Sequence, residues 1–288
     1  MPQNNLRELS HDDIQKVMST IDIPSCPGVL ALAMKESQKD EPDLGRLADI
    51  LTEDAGMSAA ALKFANSPLF GSGNRVLSVR KAVERLGTKN TVCAVVALAL
   101  RNSINGLPAA WIEQFWKKTT QVALLSNMIA KRQFGISPDA AYTYALFHDA
   151  GIPLMMRRFK QYGDIMEKTT TLCGSALFEM EEQYFPCTHP IVGWLLVRNW
   201  GLPHTMGLAV RFHHDREVFD LPERILPTEA PPLIAVTHVA ESLFDELVDG
   251  AIEHDEMFAL SIDFLGLSSD DLDDLRQRVA LATDDAGI

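Results

Sequence analysis

Apolar residues recur at spacings of three and four along this 288-residue chain, and no segment alternates apolar and polar residues strictly between turn formers. That periodicity belongs to helices with one buried face, whereas half-buried strands need a period of two. Leu44, Leu47, Ala48 and Leu51 share one side of a helix, as do Val79, Ala82, Val83 and Leu86, and again Ala141, Tyr144, Ala145 and His148. The predicted fold is all-α, a multi-helix bundle.

Start and stop signals divide the chain. Ser10 caps a first helix whose Asp12 and Asp13 complement the positive end of its dipole, and Pro24 and Pro27 make an extended turn after it. Helical pattern runs from Pro42 to Leu51 and from Ser58 to Asn66, then breaks in the turn formers that continue through Pro68 to Gly73. Ser78 caps the next helix, which stops at Gly87, and another begins near Thr88. Its run from Val92 to Leu100 is apolar on every side, as a buried hub helix requires, although a buried strand stays open.

Trp111 to Phe134 reads as one long helix. Ser137 with Pro138 starts the next, which Gly151 and Pro153 are expected to end, leaving His148 and Asp149 in its last turn. Thr188 is the expected cap of a helix ending at Gly201, and Pro203 opens one that ends in His213 and His214. Ser268 or Ser269 caps an acidic final helix. The expected organisation is an N-terminal extension (1–22), an N-terminal helical half (23–105) packed on a second helical half (106–245), and an acidic extension (246–288).

Composition excludes several classes. Nearly half the residues are apolar and about a quarter charged, which is globular. The net charge of −13 opposes a nucleic-acid backbone, and Lys117-Lys118, Lys131-Arg132 and Arg157-Arg158 are short pairs with no basic block among them. Cys26, Cys93, Cys173 and Cys187 form no CxxC unit, so they read as reduced thiols. The N-terminus lacks a secretion signal and no apolar run approaches the ~20 residues of a membrane span. The expectation is a cytoplasmic protein with neither nucleic acid nor membrane as partner.

His148-Asp149, His189 and His213-His214 all lie within about one turn of helix ends. Helix ends can meet at one rim of a bundle, so four imidazoles and a carboxylate could surround one or two divalent ions there, of the Zn, Mn, Fe or Mg kind. Helix capping at a solvated rim is the alternative.

Ile23 to Pro27, Leu62 to Ser67, Val79 to Gly87, Phe115-Trp116, His148 to Gly151, His189 to Gly193, Trp200 to Pro203 and His213-His214 together resemble the HDOD domain. That family is related to the HD metal-dependent phosphohydrolases and is regarded as an output module of bacterial signal transduction. The resemblance runs from about Ile23 to about Leu243 and implies an HD-like second half. It also exposes two departures from an active HD site. Lys118 falls where the first HD histidine would stand, and Ile152 where a lysine commonly follows the His-Asp pair. A protonated lysine is no metal ligand, and its charge should pair with Asp149 and repel a cation. Glu241 is the candidate for the last HD carboxylate.

The resemblance therefore implies a non-catalytic regulator without a cofactor, acting by contact with signalling proteins such as kinases, cyclases or regulators, or as a homodimer. The short segment before Ile23 leaves no room for a receiver or kinase domain, so input should come from elsewhere. The alternatives are a metal-dependent phosphohydrolase acting on nucleotides or cyclic dinucleotides, with His148, Asp149, His189, His213 and His214 as ligands, and a receptor for a small phosphorylated messenger.

Overall fold

The computed structural model describes residues 17, 19–67, 74–169, 174–250 and 254–285. Every regular element among them is a helix. The expected helix start at Ser10, the turn through Pro68 to Gly73, and Cys173 lie outside the described residues. The chain divides into two compact units, Ser25–Asn105 and Met1–Pro24 with Gly106–Ile288.

In the first unit α1 (Gly28–Ser37), α2 (Leu44–Thr52) and α3 (Ala55–Ala65) all pack on α4 (Val79–Ser103). The hub role follows from composition: Cys93, Ala94, Val95, Val96, Ala99 and Leu100 are all buried. Ser78 caps α4, accepting from Lys81 N at 3.4 Å. At Gly87 the backbone turns to φ 70°, ψ 179°, so α4 is two helical segments joined at a residue that only glycine occupies without strain. The caps of α2 and α3 are Asp43 and Asp54, which accept from Arg46 N and Met57 N. These starts lie a few residues from those expected at Pro42 and Ser58. Asn66 donates to the carbonyls of Leu62 and Val76 and accepts from Val76 N, so one amide joins the end of α3 to the approach to α4.

The second unit contains α5 (Ala109–Ala130), α6 (Pro138–Phe147), α7 (Gly151–Arg158), α8 (Tyr162–Thr169), α9 (Gly174–Tyr184), α10 (His189–Asn199), α11 (His204–Phe212), α12 (Ala230–Asp249), α13 (Glu256–Leu265) and α14 (Ser269–Asp285). Helix α5 packs on α6, α10 lies between α7 and α11, and α12 touches α5, α6, α11, α13 and α14. The amide side chain of Asn199 and the indole of Trp200 both donate to Pro24 O at 3.0 Å, fastening residues 19–24 to the end of α10.

Three expectations are corrected here. Helix α5 stops at Ala130, four residues before Phe134, because its buried face ends with Ile129 and Ala130; Phe134 is fully exposed and Gly135 turns to positive φ. Gly151 and Pro153 do not end α6 but open α7. A proline in a first turn loses nothing, since its absent N–H would have had no intrahelical partner there. A Cβ on Gly151 would lie 2.0 Å from His189 O, so this glycine serves close packing of α7 against the start of α10. Thr188 occupies the N-cap position of α10 but makes no capping bond, its buried hydroxyl lacking a partner among the described residues. The buried Glu181 takes His189 N instead, at 2.8 Å.

Candidate metal centre

Three helix junctions and the interior of α12 supply the site. Ser137 caps α6 and Pro138 starts it, which directs its other end, His148 with Asp149, into the turn before α7. His189 opens α10, His213 and His214 follow α11, and α12 contributes Glu241. His148, His189 and His213 are buried, while Asp149 and His214 keep partial exposure. The expected four histidines and carboxylate fall into two groups that share Asp149: His189, His213 and His214 in one, His148 with Glu241 in the other.

Asp149 faces two ways. Its Oδ1 lies 3.4 Å from His189 Nε2 and 3.5 Å from His213 Nε2; His189 Nε2 is 3.4 Å from His213 Nε2 and 3.2 Å from His214 Nε2. Four-coordinate zinc bonds of 2.0–2.1 Å give ligand-to-ligand edges of roughly 3.4 Å. The donor set of Asp149, His189, His213 and His214 therefore fits one divalent transition-metal ion. The far ring nitrogens agree. His213 Nδ1 donates to Val210 O at 2.7 Å and His189 Nδ1 to Glu181 Oε2 at 2.7 Å, which turns both Nε2 lone pairs into the cluster. His238 Nε2 donates to His213 O at 2.8 Å, steadying the turn that carries His213 and His214. An ion held there would supply Lewis acidity toward a phosphoryl oxygen.

The other carboxylate oxygen looks toward a different neighbourhood. Asp149 Oδ2 is 3.2 Å from His148 Nε2, off the line of a hydrogen bond, and Glu241 Oε2 is 3.7 Å from the same nitrogen. His148 Nδ1 donates to Ala145 O at 2.8 Å. These three residues form a second group with converging donor atoms. Lys118, from α5, stands beside it. Its ammonium lies 3.0 Å from Glu241 Oε1 and 2.8 Å from Asp245 Oδ2, and the expected pairing with Asp149 is not made. The alignment of Lys118 to the first HD histidine placed it near the site, but its long stem carries the charge past Asp149 to α12. Ile152 is buried in the first turn of α7.

Titration divides the imidazoles into a lowered pair, His213 and His214, and a raised pair, His189 and His148. Burial pulls the His213 imidazole down to about 4, and burial with neighbouring His213 holds His214 well below the usual range, so both present lone pairs at neutral pH. Burial lowers His189 too, but the Glu181 carboxylate outweighs it and pushes the imidazole up to about 9. Around His148 burial is again outweighed, here by Asp149, and the ring is held well above its ordinary value. Burial would raise Glu241, yet Lys118 keeps it well below the carboxylate range; Asp245 is pushed up by burial to about 6 against the pull of the same lysine. The His148 side is thus already balanced by a protonated imidazole and an ammonium.

Two members of the site have no counterpart among the residues singled out by sequence. Glu181 is fully buried on α9, accepting from His189 through Oε2 and from the Tyr162 hydroxyl through Oε1. Its only signal is a carboxylate four residues from each of Leu177 and Phe185, both buried, and hence on the apolar side of its helix. His238 sits within a buried turn of α12, between Thr237 and Val239, and reads as core.

The HDOD domain family model matches residues 23–216, a span that contains Asp149, His189, His213 and His214. This chain belongs to the HDOD family. Solved structures with the same fold include an HDOD protein of unknown function from Geobacter sulfurreducens, at 20% identity over 94% of this chain and 97% of that one, with a TM-score of 0.68. A candidate phosphohydrolase from Shewanella amazonensis SB2B matches at 20% identity over 94% of both chains, with a TM-score of 0.72. A candidate signal transduction protein from Marinobacter aquaeolei VT8 matches at 20% identity with a TM-score of 0.71, over 96% of this chain and 64% of that one. No curated protein matches the sequence. No helix among the described residues is long and apolar enough to cross a membrane.

Proposed function

We propose that this HDOD protein is a non-catalytic signal-transduction module that acts by protein contact, on a scaffold shared with phosphohydrolases. One observation carries the reading: the Lys118 ammonium occupies Glu241 and Asp245 beside His148, where a second cation would otherwise sit. Two metal ions clamping the attacking and leaving oxygens are a recurrent requirement of phosphoester cleavage, and here an internal cation stands in for one of them. The Marinobacter relative named for signal transduction supports the same role. The net charge of −13 favours a signalling partner with a basic face, whose binding weakens as salt is raised.

The test is turnover. Protein loaded in turn with Mn, Fe, Zn and Mg should leave cyclic nucleotides, cyclic dinucleotides and nucleoside phosphates intact. Metal-dependent hydrolysis that disappears in a His148→Ala, Asp149→Ala variant overturns the proposal.

A metal-dependent phosphohydrolase is the second reading, favoured by the donor set of Asp149, His189, His213 and His214 and by the Shewanella relative's name. On our preferred reading those four residues hold one ion, Zn, Mn or Fe by their nitrogen-rich chemistry, which organises the module without reacting. Metal analysis after incubation and desalting tests the second reading, which fails if no stoichiometric ion is retained, and turnover separates it from the first.

A further inference from the structure

Glu181 presents an unusual combination for a buried carboxylate. It has no exposed surface, and its only ion-pair partner among the described residues is the His189 ring. No lysine or arginine of those residues compensates it. A carboxylate in such surroundings is costly unless a positive charge reaches it, and here the one route runs through an imidazole whose other nitrogen faces the Asp149, His213 and His214 cluster. Both carboxylate oxygens are used: Oε2 takes the backbone N–H and Nδ1–H of His189, and Oε1 takes the Tyr162 hydroxyl.

We infer that Glu181 is the positioning residue of the ion site, fixing the tautomer and plane of His189 from behind and strengthening its Nε2 as a donor toward a divalent cation. This rests on reading Asp149, His189, His213 and His214 as ligands of one ion. A carboxylate that accepts from a ligating imidazole gives it partial imidazolate character, so the nitrogen facing the ion becomes more basic. The backbone bond to His189 N makes the arrangement rigid, because the residue is held at two points by a single oxygen. Tyr162 stands on α8 and Glu181 on α9, so two helices that bear no ligand set the orientation of one.

Glu181→Gln separates charge from packing. A glutamine amide oxygen in place of Oε2 still accepts from His189, and its NH2 group donates to a Tyr162 hydroxyl that has turned to accept, so hydrogen bonds survive while the charge is lost. The experiment strips the full-length protein with a chelator, then titrates Co(II) and Zn(II) against a chromophoric competitor and records the visible Co(II) spectrum. Wild type should bind one Co(II) with the intense absorption of a four-coordinate site. Glu181→Gln should bind about 10- to 100-fold more weakly, with a shifted band and an unchanged far-ultraviolet circular dichroism spectrum of the ion-free protein. Equal affinity and an identical spectrum in the variant overturn the role of Glu181 while leaving the ion site standing. Failure of wild type to bind Co(II) overturns both.

A wild-type measurement keeps the inference falsifiable if Glu181→Gln does not fold. With 15N-labelled histidine and bound Zn(II), the His189 Nδ1 proton should be shifted far downfield and protected from exchange. A proton averaged with solvent rejects the inference.

Discussion

The two oxygens of Asp149 sit less than one side chain apart and face opposite conditions. On the Oδ1 side His189 Nε2 lies 3.4 Å from His213 Nε2 and 3.2 Å from His214 Nε2, and hydrogen bonds to Glu181 and Val210 O turn His189 and His213 inward. On the Oδ2 side Asp149 holds the His148 imidazole above its ordinary value against burial, and Lys118 pairs with Glu241. The contrast teaches that one carboxylate can border two neighbourhoods of different charge: Lys118 reaches Glu241 on the Oδ2 side, while the His189 and His213 imidazoles face Oδ1.

The largest expected effect breaks the intact side mechanically. Gly151→Ala places a methyl against His189 O, where the separation would be 2.0 Å, and should cost about 3 kcal/mol of stability. Urea denaturation measures it, with Gly28→Ala as control, since a Cβ there meets nothing within 4 Å and should cost little. Next, His213→Ala should weaken Zn(II) binding by about 100-fold, or about 2.7 kcal/mol, while leaving the Lys118 pairs untouched. Competition titration checks it, and a full-strength site without His213 would dissolve the contrast between the sides.

Lys118→His tests the other side. The lysine side chain keeps 41% of its surface exposed, so its ion pairs are screened and their loss should change stability by about 1 kcal/mol or less. Its informative effect is on stoichiometry: with an imidazole in place of the ammonium, His148, Asp149 and Glu241 become free to accept an ion, and metal analysis should rise from one ion per chain to two.

The smallest effect is a pH dependence in ion-free protein. His213 has a folded value of about 4 against 6.5, so unfolding takes up protons between these values and stability rises as pH goes from about 4 to 6.5. His189 has a folded value of about 9, so its contribution is complete below 6.5 and is lost as pH rises toward about 9. Melting temperature should therefore peak near pH 6.5, and removing His189 should make the alkaline limb shallower, the raised His148 supplying the rest of it.

Local signals were read well because they are local. Ser78 and Ser137 cap the helices they precede, Gly87 breaks α4, and the face of Ala141, Tyr144, Ala145 and His148 is buried. Ser268 likewise caps the last helix, exchanging bonds with Asp271. The gathering of His148, Asp149, His189, His213 and His214 was legible from their places at helix ends. What escaped depended on partners distant in sequence. Nothing near Gly151 announces that His189 O will lie against it, so a glycine and a proline read as a stop. Glu181, eight residues before His189, carries no local sign of that partner, and Thr188 looked like the cap whose work Glu181 performs. The reach of Lys118 to Asp245 spans 127 positions and is a property of α5 packed on α12.

The contact between Gly151 and the His189 carbonyl has a consequence for which ions can be accommodated. Residue 151 is two positions from one donor, the carbonyl belongs to another, and main chain meets main chain with no flexible group between them. The contact fixes the main-chain spacing behind the edge from Asp149 to His189, so side-chain rotation alone is left to fit that edge to an ion of another radius. Enlarging residue 151 would move both donors' backbones before either donor was altered.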